Sequence, residues 1–139
     1  MRIIPITLAA LLAAGAAQNS SKPFWRWPVP LDRAVSSNFC EYRDGRFHAG
    51  IDVRTFGSEG ITCIAISDGW ISRMRAGSKG YGKALHLTLP DSTQIVYGHL
   101  SEYTPALEKV LYAAQMKDTT FTVDIHFPPD RRSVQYNEG

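Results

Sequence analysis

Apolar and polar positions alternate along most of the chain, and only one stretch repeats at helical spacing. Residues 61–67 (Ile-Thr-Cys-Ile-Ala-Ile-Ser) and 70–74 (Trp-Ile-Ser-Arg-Met) are β-rich runs separated by Asp68-Gly69. This predicts a hairpin, because a type I′ turn needs positive φ at both central residues and Asp-Gly tolerates it. Residues 84–89 and 93–99 predict a second hairpin around Pro90-Asp91-Ser92. In it Leu85, Leu87 and Leu89 share one face, and His86 falls on the solvent-facing side with no role assigned. Residues 121–127 also alternate, so they read as a strand, stopped by Pro128-Pro129-Asp130.

The helical stretch begins at Thr104-Pro105, with Thr as N-cap and Pro at the first helical position. Leu107, Val110, Leu111 and Ala114 then fall at i, i+3, i+4 and i+7, one face of a helix reaching about Lys117. Turns are expected at Arg43-Asp44-Gly45-Arg46 and Gly57-Ser58-Glu59-Gly60 by composition. Residues 77–82 are a glycine-rich connection without phosphate-loop spacing. Strands joined by tight turns with one late helix predict a mainly β fold, an antiparallel β-sandwich or open barrel with one inserted helix near 104–117.

The first residues change the picture of where the chain works. Met1-Arg2 precedes an apolar run over residues 3–14, followed by the small residues Gly15-Ala16-Ala17. That is the pattern of a secretory signal peptide over 1–17, and the run is too short to span a bilayer of about 30 Å. The expected organisation is a leader, a linker with a Trp- and Pro-rich lead-in over 18–30, and one domain over 31–139. Phe24, Trp25 and Trp27 are expected to pack on that domain as an anchoring arm. Export to a periplasm or beyond follows, with no stable membrane anchor after cleavage.

Lys and Arg total 15 against 13 Asp and Glu, and the leader carries only Arg2 of that excess. The near-neutral balance gives no electrostatic case for nucleic acid or an anionic membrane. Cys40 and Cys63 are the only cysteines. Pairing in an oxidising compartment and burial as two small hydrophobes both remain open.

Candidate chemistry centres on Phe47-His48-Ala49-Gly50-Ile51-Asp52-Val53. Imidazole and carboxylate are both zinc ligands, and a catalytic zinc takes three protein ligands plus water. In a straight strand the two would stand about 13 Å apart, too far for one ion. A bend at Gly50 is therefore expected to bring His48 and Asp52 together. Spacing alone favours the plainer reading of two polar positions beside a sheet, and features further along shift the balance.

Further features follow in order: the segment Ile66-Ser67-Asp68-Gly69-Trp70-Ile71, then Gly80-Tyr81-Gly82, then Tyr97-Gly98-His99-Leu100-Ser101. With His48-x-Gly50-x-Asp52 in front, the series resembles the lysostaphin/LytM-type zinc metallopeptidases over about residues 28–103. These are secreted enzymes that cut peptide bonds in bacterial peptidoglycan. The resemblance implies that fold, Zn2+ as cofactor, and peptidoglycan peptide cross-links as the partner. It implies that His48 and Asp52 are the first two zinc ligands. It also implies that His99 stands beside the metal-bound water as base or transition-state stabiliser, roles that suit an imidazole.

The sequence departs from the family at the site's completion. The family's later His-x-His strand, which supplies the third ligand, has no counterpart here. Asp124-Ile125-His126 offers His126 as a substitute third ligand, but no glycine-rich turn precedes it, and a surface histidine is the plainer reading. Alternatively, residues 104–130 are an insertion after His99, residues 133–139 approach the family's next strand, and the closing strands are missing. A sandwich lacking them would expose a sheet edge and an unfilled core. A competing expectation is a non-catalytic relative that binds cell wall or regulates another hydrolase, although the early ligands are intact. A lipoyl-carrier-like or phosphocarrier domain has related β-architecture, but the leader argues against it.

Overall fold

The computed structural model describes residues 25–128. The leader at 1–17, most of the linker, Phe24 and residues 133–139 lie outside them. In chain order the elements are β1 (Val35–Ser37), β2 (Tyr42–Arg43), β3 (Arg46–Phe47), β4 (Asp52–Val53), β5 (Trp70–Ala76), β6 (Lys83–Thr88), β7 (Gln94–Leu100), α1 (Pro105–Asp118) and β8 (Val123–His126). The fold is mainly β with one helix. Its sheets are open and antiparallel, and no barrel closes among the described residues.

The largest sheet has the order β7-β6-β5-β8. The expected hairpin at 84–99 forms as β6 and β7, with Leu87 opposite Ile95 and His86 opposite Val96. Ser92 takes the left-handed conformation in its turn, and Asp91 accepts the Thr93 N–H at 2.9 Å. The strand expected at 121–127 forms as β8. There Val123 and Ile125 face the core while Asp124 and His126 face outward, in register with Arg75 and Arg73.

The helix fills the other layer. Leu107 and Leu111 are buried against Ile71, Met74, Ala76, Tyr103 and Val123, with Ala114 packed alongside. Val110 does not join them as expected and stays on the surface. Thr104 makes no side-chain cap. Instead Glu108 reaches back to accept the Tyr103 N–H at 2.8 Å and pairs with Lys83 at 2.6 Å. A carboxylate in the first turn also suits the positive end of the helix. Within residues 105–126, α1 covers the core through Leu107 and Leu111, and β8 pairs with the flank of β5 away from β6.

The expected hairpin across Asp68-Gly69 does not form. Residues 61–67 make no strand with β5, whose partners are β6 and β8. They bind the lead-in instead: Arg26 N–H donates to the Ile66 carbonyl at 2.7 Å, and Ile64 N–H to the Pro28 carbonyl at 2.8 Å. The Ile66 N–H goes to the Tyr97 hydroxyl at 2.9 Å. Local propensity is overridden because a tertiary partner satisfies the same backbone groups. The lead-in is thus an anchoring arm at Arg26 and Pro28, with Val29 buried and Trp25 left half exposed.

Gly69 has a different reason for being glycine. A Cβ there would lie 2.5 Å from the Thr88 carbonyl oxygen, so the position is one of close backbone approach. Cys40 and Cys63 are both exposed free thiols.

Candidate metal centre

Two short strand pairs position the site. β1 pairs with β4, placing Ser37 opposite Asp52. β2 pairs with β3 around Asp44-Gly45, where Gly45 supplies a φ of 71°. The second ladder continues past its ends, since Cys40 N–H donates to the His48 carbonyl at 2.8 Å and His48 N–H to the Glu41 carbonyl at 2.9 Å. His48 is therefore held by backbone between β3 and β4. The chain bends at Gly50 as expected, but not through any special freedom of glycine. Its φ lies outside the left-handed region, and a Cβ would meet nothing within 4 Å.

The bend brings His48 Nε2 to 3.2 Å from Asp52 Oδ1. Two ligands at about 2.0–2.2 Å from a tetrahedral zinc stand about 3.3–3.6 Å from each other, close to what is found here. The other ring nitrogen, Nδ1, lies 3.0 Å from the Asn38 carbonyl, which can only accept. Nδ1 therefore carries the hydrogen, and Nε2 turns toward a carboxylate oxygen. With that tautomer the Nε2 lone pair and the carboxylate oxygen are spaced to share a metal ion. Orientation of a ligating histidine through its second nitrogen is also how metal sites are usually built. The His48 side chain is 13% exposed and that of Asp52 40%, so the pair opens to solvent on the carboxylate side.

Around the pair stands a group of partners that no motif indicated. Arg43 Nη2 donates to Asp52 Oδ2 and, at 3.0 Å, to Ser37 Oγ. Ser37 Oγ lies 3.1 Å from His48 Nδ1 and donates its own hydrogen to Glu41. Glu41 also accepts the Asn38 N–H at 3.0 Å. The Ser37 hydroxyl, followed by this backbone N–H, holds the Glu41 carboxyl below the usual carboxylate range. The row Ser37, His48, Asp52 has the composition of a nucleophilic triad but not its hydrogen-bond logic. Nδ1 is a donor, and the serine hydrogen is committed to Glu41, so His48 cannot take the proton from Ser37.

The other sequence candidates lie on the four-stranded sheet. His99, near the end of β7, is exposed and adopts a φ of 57°, with its N–H on the Tyr81 carbonyl at 2.8 Å. Its ring meets Tyr81 edge-on at 6.1 Å. Gly98 makes room for that tyrosine, since a Cβ would lie 2.9 Å from the Tyr81 ring. A left-handed histidine costs of order 1–3 kcal/mol and is the kind of local strain found at functional positions.

His126 is 70% exposed and faces Asp124 Oδ1 at 3.4 Å. With β7 and β8 at opposite edges of the four-stranded sheet, His99 and His126 are separated by three strand spacings, about 14 Å, too far to share one ion. On the same outward face His86 lies opposite Arg73, which is bound by Asp124. Burial, then Arg73, pushes His86 toward its neutral form.

No group of three His, Cys, Asp or Glu side chains that could hold a metal ion occurs among the described residues. The donors present thus fit two vertices of a zinc site and not a complete one, so no catalytic step is derived through the metal. No family model, no curated protein and no solved structure matches the chain.

Proposed function

We propose that the protein is an exported relative of the lysostaphin-type zinc endopeptidases that acts at the peptide cross-links of bacterial peptidoglycan. In this reading His48 and Asp52 are two of the zinc ligands and His99 is the histidine that serves the reacting water. The observation that carries it is the 3.2 Å approach of His48 Nε2 to Asp52 Oδ1, with Nδ1 committed to a backbone carbonyl. The ordered motif series through Tyr97-Gly98-His99 and the leader-like first residues support the same reading. Bound zinc would supply an activated water and polarise the scissile carbonyl.

A second reading is a non-catalytic domain of the same kind that binds cell wall or regulates another hydrolase. It is favoured by the two-ligand donor set among the described residues. Purified peptidoglycan incubated with the zinc-supplemented chain separates the two. Release of new amino termini, abolished in His48→Ala, supports the endopeptidase. Co-sedimentation with peptidoglycan without new amino termini supports the binding domain, and the absence of both results refutes the cell-wall assignment.

A further inference from the structure

We propose that the outward face of the four-stranded sheet binds the phosphate group of a soluble ligand, held by Arg75 and His86 with Arg73 beside them. The site shares no residue with the His48–Asp52 pair and needs no metal.

That face bears Arg73 and Arg75 from β5, His86 from β6, and Asp124 and His126 from β8. Two guanidinium groups and two imidazoles thus share it with one carboxylate. Register would pair Asp124 with Arg75, which stands directly opposite. Asp124 instead reaches diagonally to Arg73, accepting from Nε at 2.6 Å and from Nη2, and meets His126 Nε2 at 3.4 Å. The hydrogen bonds from Arg73 hold the Asp124 carboxyl below the usual carboxylate range. The one acid on this face is therefore committed.

Arg75 is left over. Its half-buried side chain has no hydrogen-bond or ion-pair partner among the described residues, yet its charge acts on both His86 and Asp124. Nη1 lies beside Gly80, where a Cβ would stand 4.0 Å away. That glycine belongs to the 77–82 connection, which carries Lys79 and no acid. The His86 ring is also half-buried and makes no hydrogen bond. Burial, then Arg73, favours its neutral form, which offers one N–H.

A phosphate suits these donors better than a carboxylate does. Guanidinium forks and a ring N–H from two neighbouring strands match the several oxygens of a tetrahedral anion, and charge-assisted bonds of this kind are strong. The near-neutral balance of 15 Lys and Arg against 13 Asp and Glu favours a soluble phosphate over an anionic membrane.

Inorganic phosphate titrated into the full chain at constant ionic strength, followed by NMR, tests this. The Arg75 Nε–H and His86 ring resonances should shift and saturate together, with those of His48 unmoved. Arg75→Ala should weaken binding by about 10–100-fold, the loss expected for charge-assisted hydrogen bonds. The Arg75 carbonyl that takes the Tyr103 hydroxyl is main chain and is kept in that variant. Asp124→Asn, which releases Arg73, should bind more tightly.

Phosphate binding unchanged in Arg75→Ala overturns the proposal. Should that variant fail to fold, the wild type decides: no saturable shift at Arg75 and His86, or shifts centred on His48, overturns it equally. Acetate binding as tight as phosphate would remove the phosphate assignment. Binding to phosphatidylglycerol vesicles without a response to inorganic phosphate would remove the soluble ligand.

Discussion

Replacing Gly69 by alanine tests why that glycine is present. The added Cβ would lie 2.5 Å from the Thr88 carbonyl oxygen and 3.2 Å from both Leu87 Cδ1 and Leu89 Cδ2. Contacts under 3.0 Å are essentially never made by real Cβ atoms, so backbone must move. The obstacle is a main-chain oxygen of β6, and Thr88 is paired on both sides, with Trp70 and with Gln94. A shift there disturbs two ladders at once. Overpacking of this kind costs about 1–3 kcal/mol. The smaller entropy of the unfolded alanine chain returns about 0.4–1 kcal/mol, leaving a net loss of about 1–2 kcal/mol. Urea unfolding followed by circular dichroism should show the midpoint falling by about 1 M with unchanged slope, for a slope of about 1–2 kcal/mol/M. Gly69→Asn discriminates further. A left-handed turn position accepts asparagine well, whereas a steric approach rejects any Cβ. Unchanged stability in Gly69→Ala, or a large loss in Gly69→Ala alone with Gly69→Asn near wild type, would refute the close-approach explanation.

Three further outcomes are expected. Leu111→Ala should lose about 2–5 kcal/mol in the same unfolding assay, because Leu111 is buried in the layer between α1 and the sheet; a loss under 1 kcal/mol would mean the helix is loosely docked. Glu108 is held below the usual carboxylate range, first by its hydrogen bond from Lys83 and then by the Tyr103 N–H. Its contribution is therefore complete above the unfolded value near 4.3 and is lost as pH falls through the folded one, so Glu108→Gln should flatten the acid side of a stability–pH curve. Gly98→Ala should displace the Tyr81 ring from its place against His99 and change the His99 ring resonances in NMR spectra; unchanged resonances would show that Tyr81 does not shape that position.

The legible parts of the fold were those in which local pattern and final partner agree. The β6–β7 hairpin, β8 and α1 follow from alternation, Pro-Asp-Ser turn chemistry and a Thr-Pro helix start, although Val110 on the marked face of α1 stays exposed. The 61–67 run failed because its backbone partners are Arg26, Pro28 and Tyr97, far away in sequence, and no periodicity encodes them. At the site, the meeting of His48 and Asp52 was legible from the glycine between them, although the bend does not need one. Arg43, Ser37, Asn38 and Glu41 were not legible. They reach the pair through short strand pairs only two or three residues long, below what a pattern can mark. The polar triplet Ser36-Ser37-Asn38, placed before a turn and a lone histidine, was the one hint available.

The most direct test of the metal assignment is a zinc titration of the purified chain beside His48→Ala, Asp52→Ala and His126→Ala. A site built on His48 and Asp52 predicts one weakly held zinc per chain, lost in the first two variants and unchanged in the third. Zinc binding indifferent to His48 and Asp52, or abolished by His126→Ala, would contradict it.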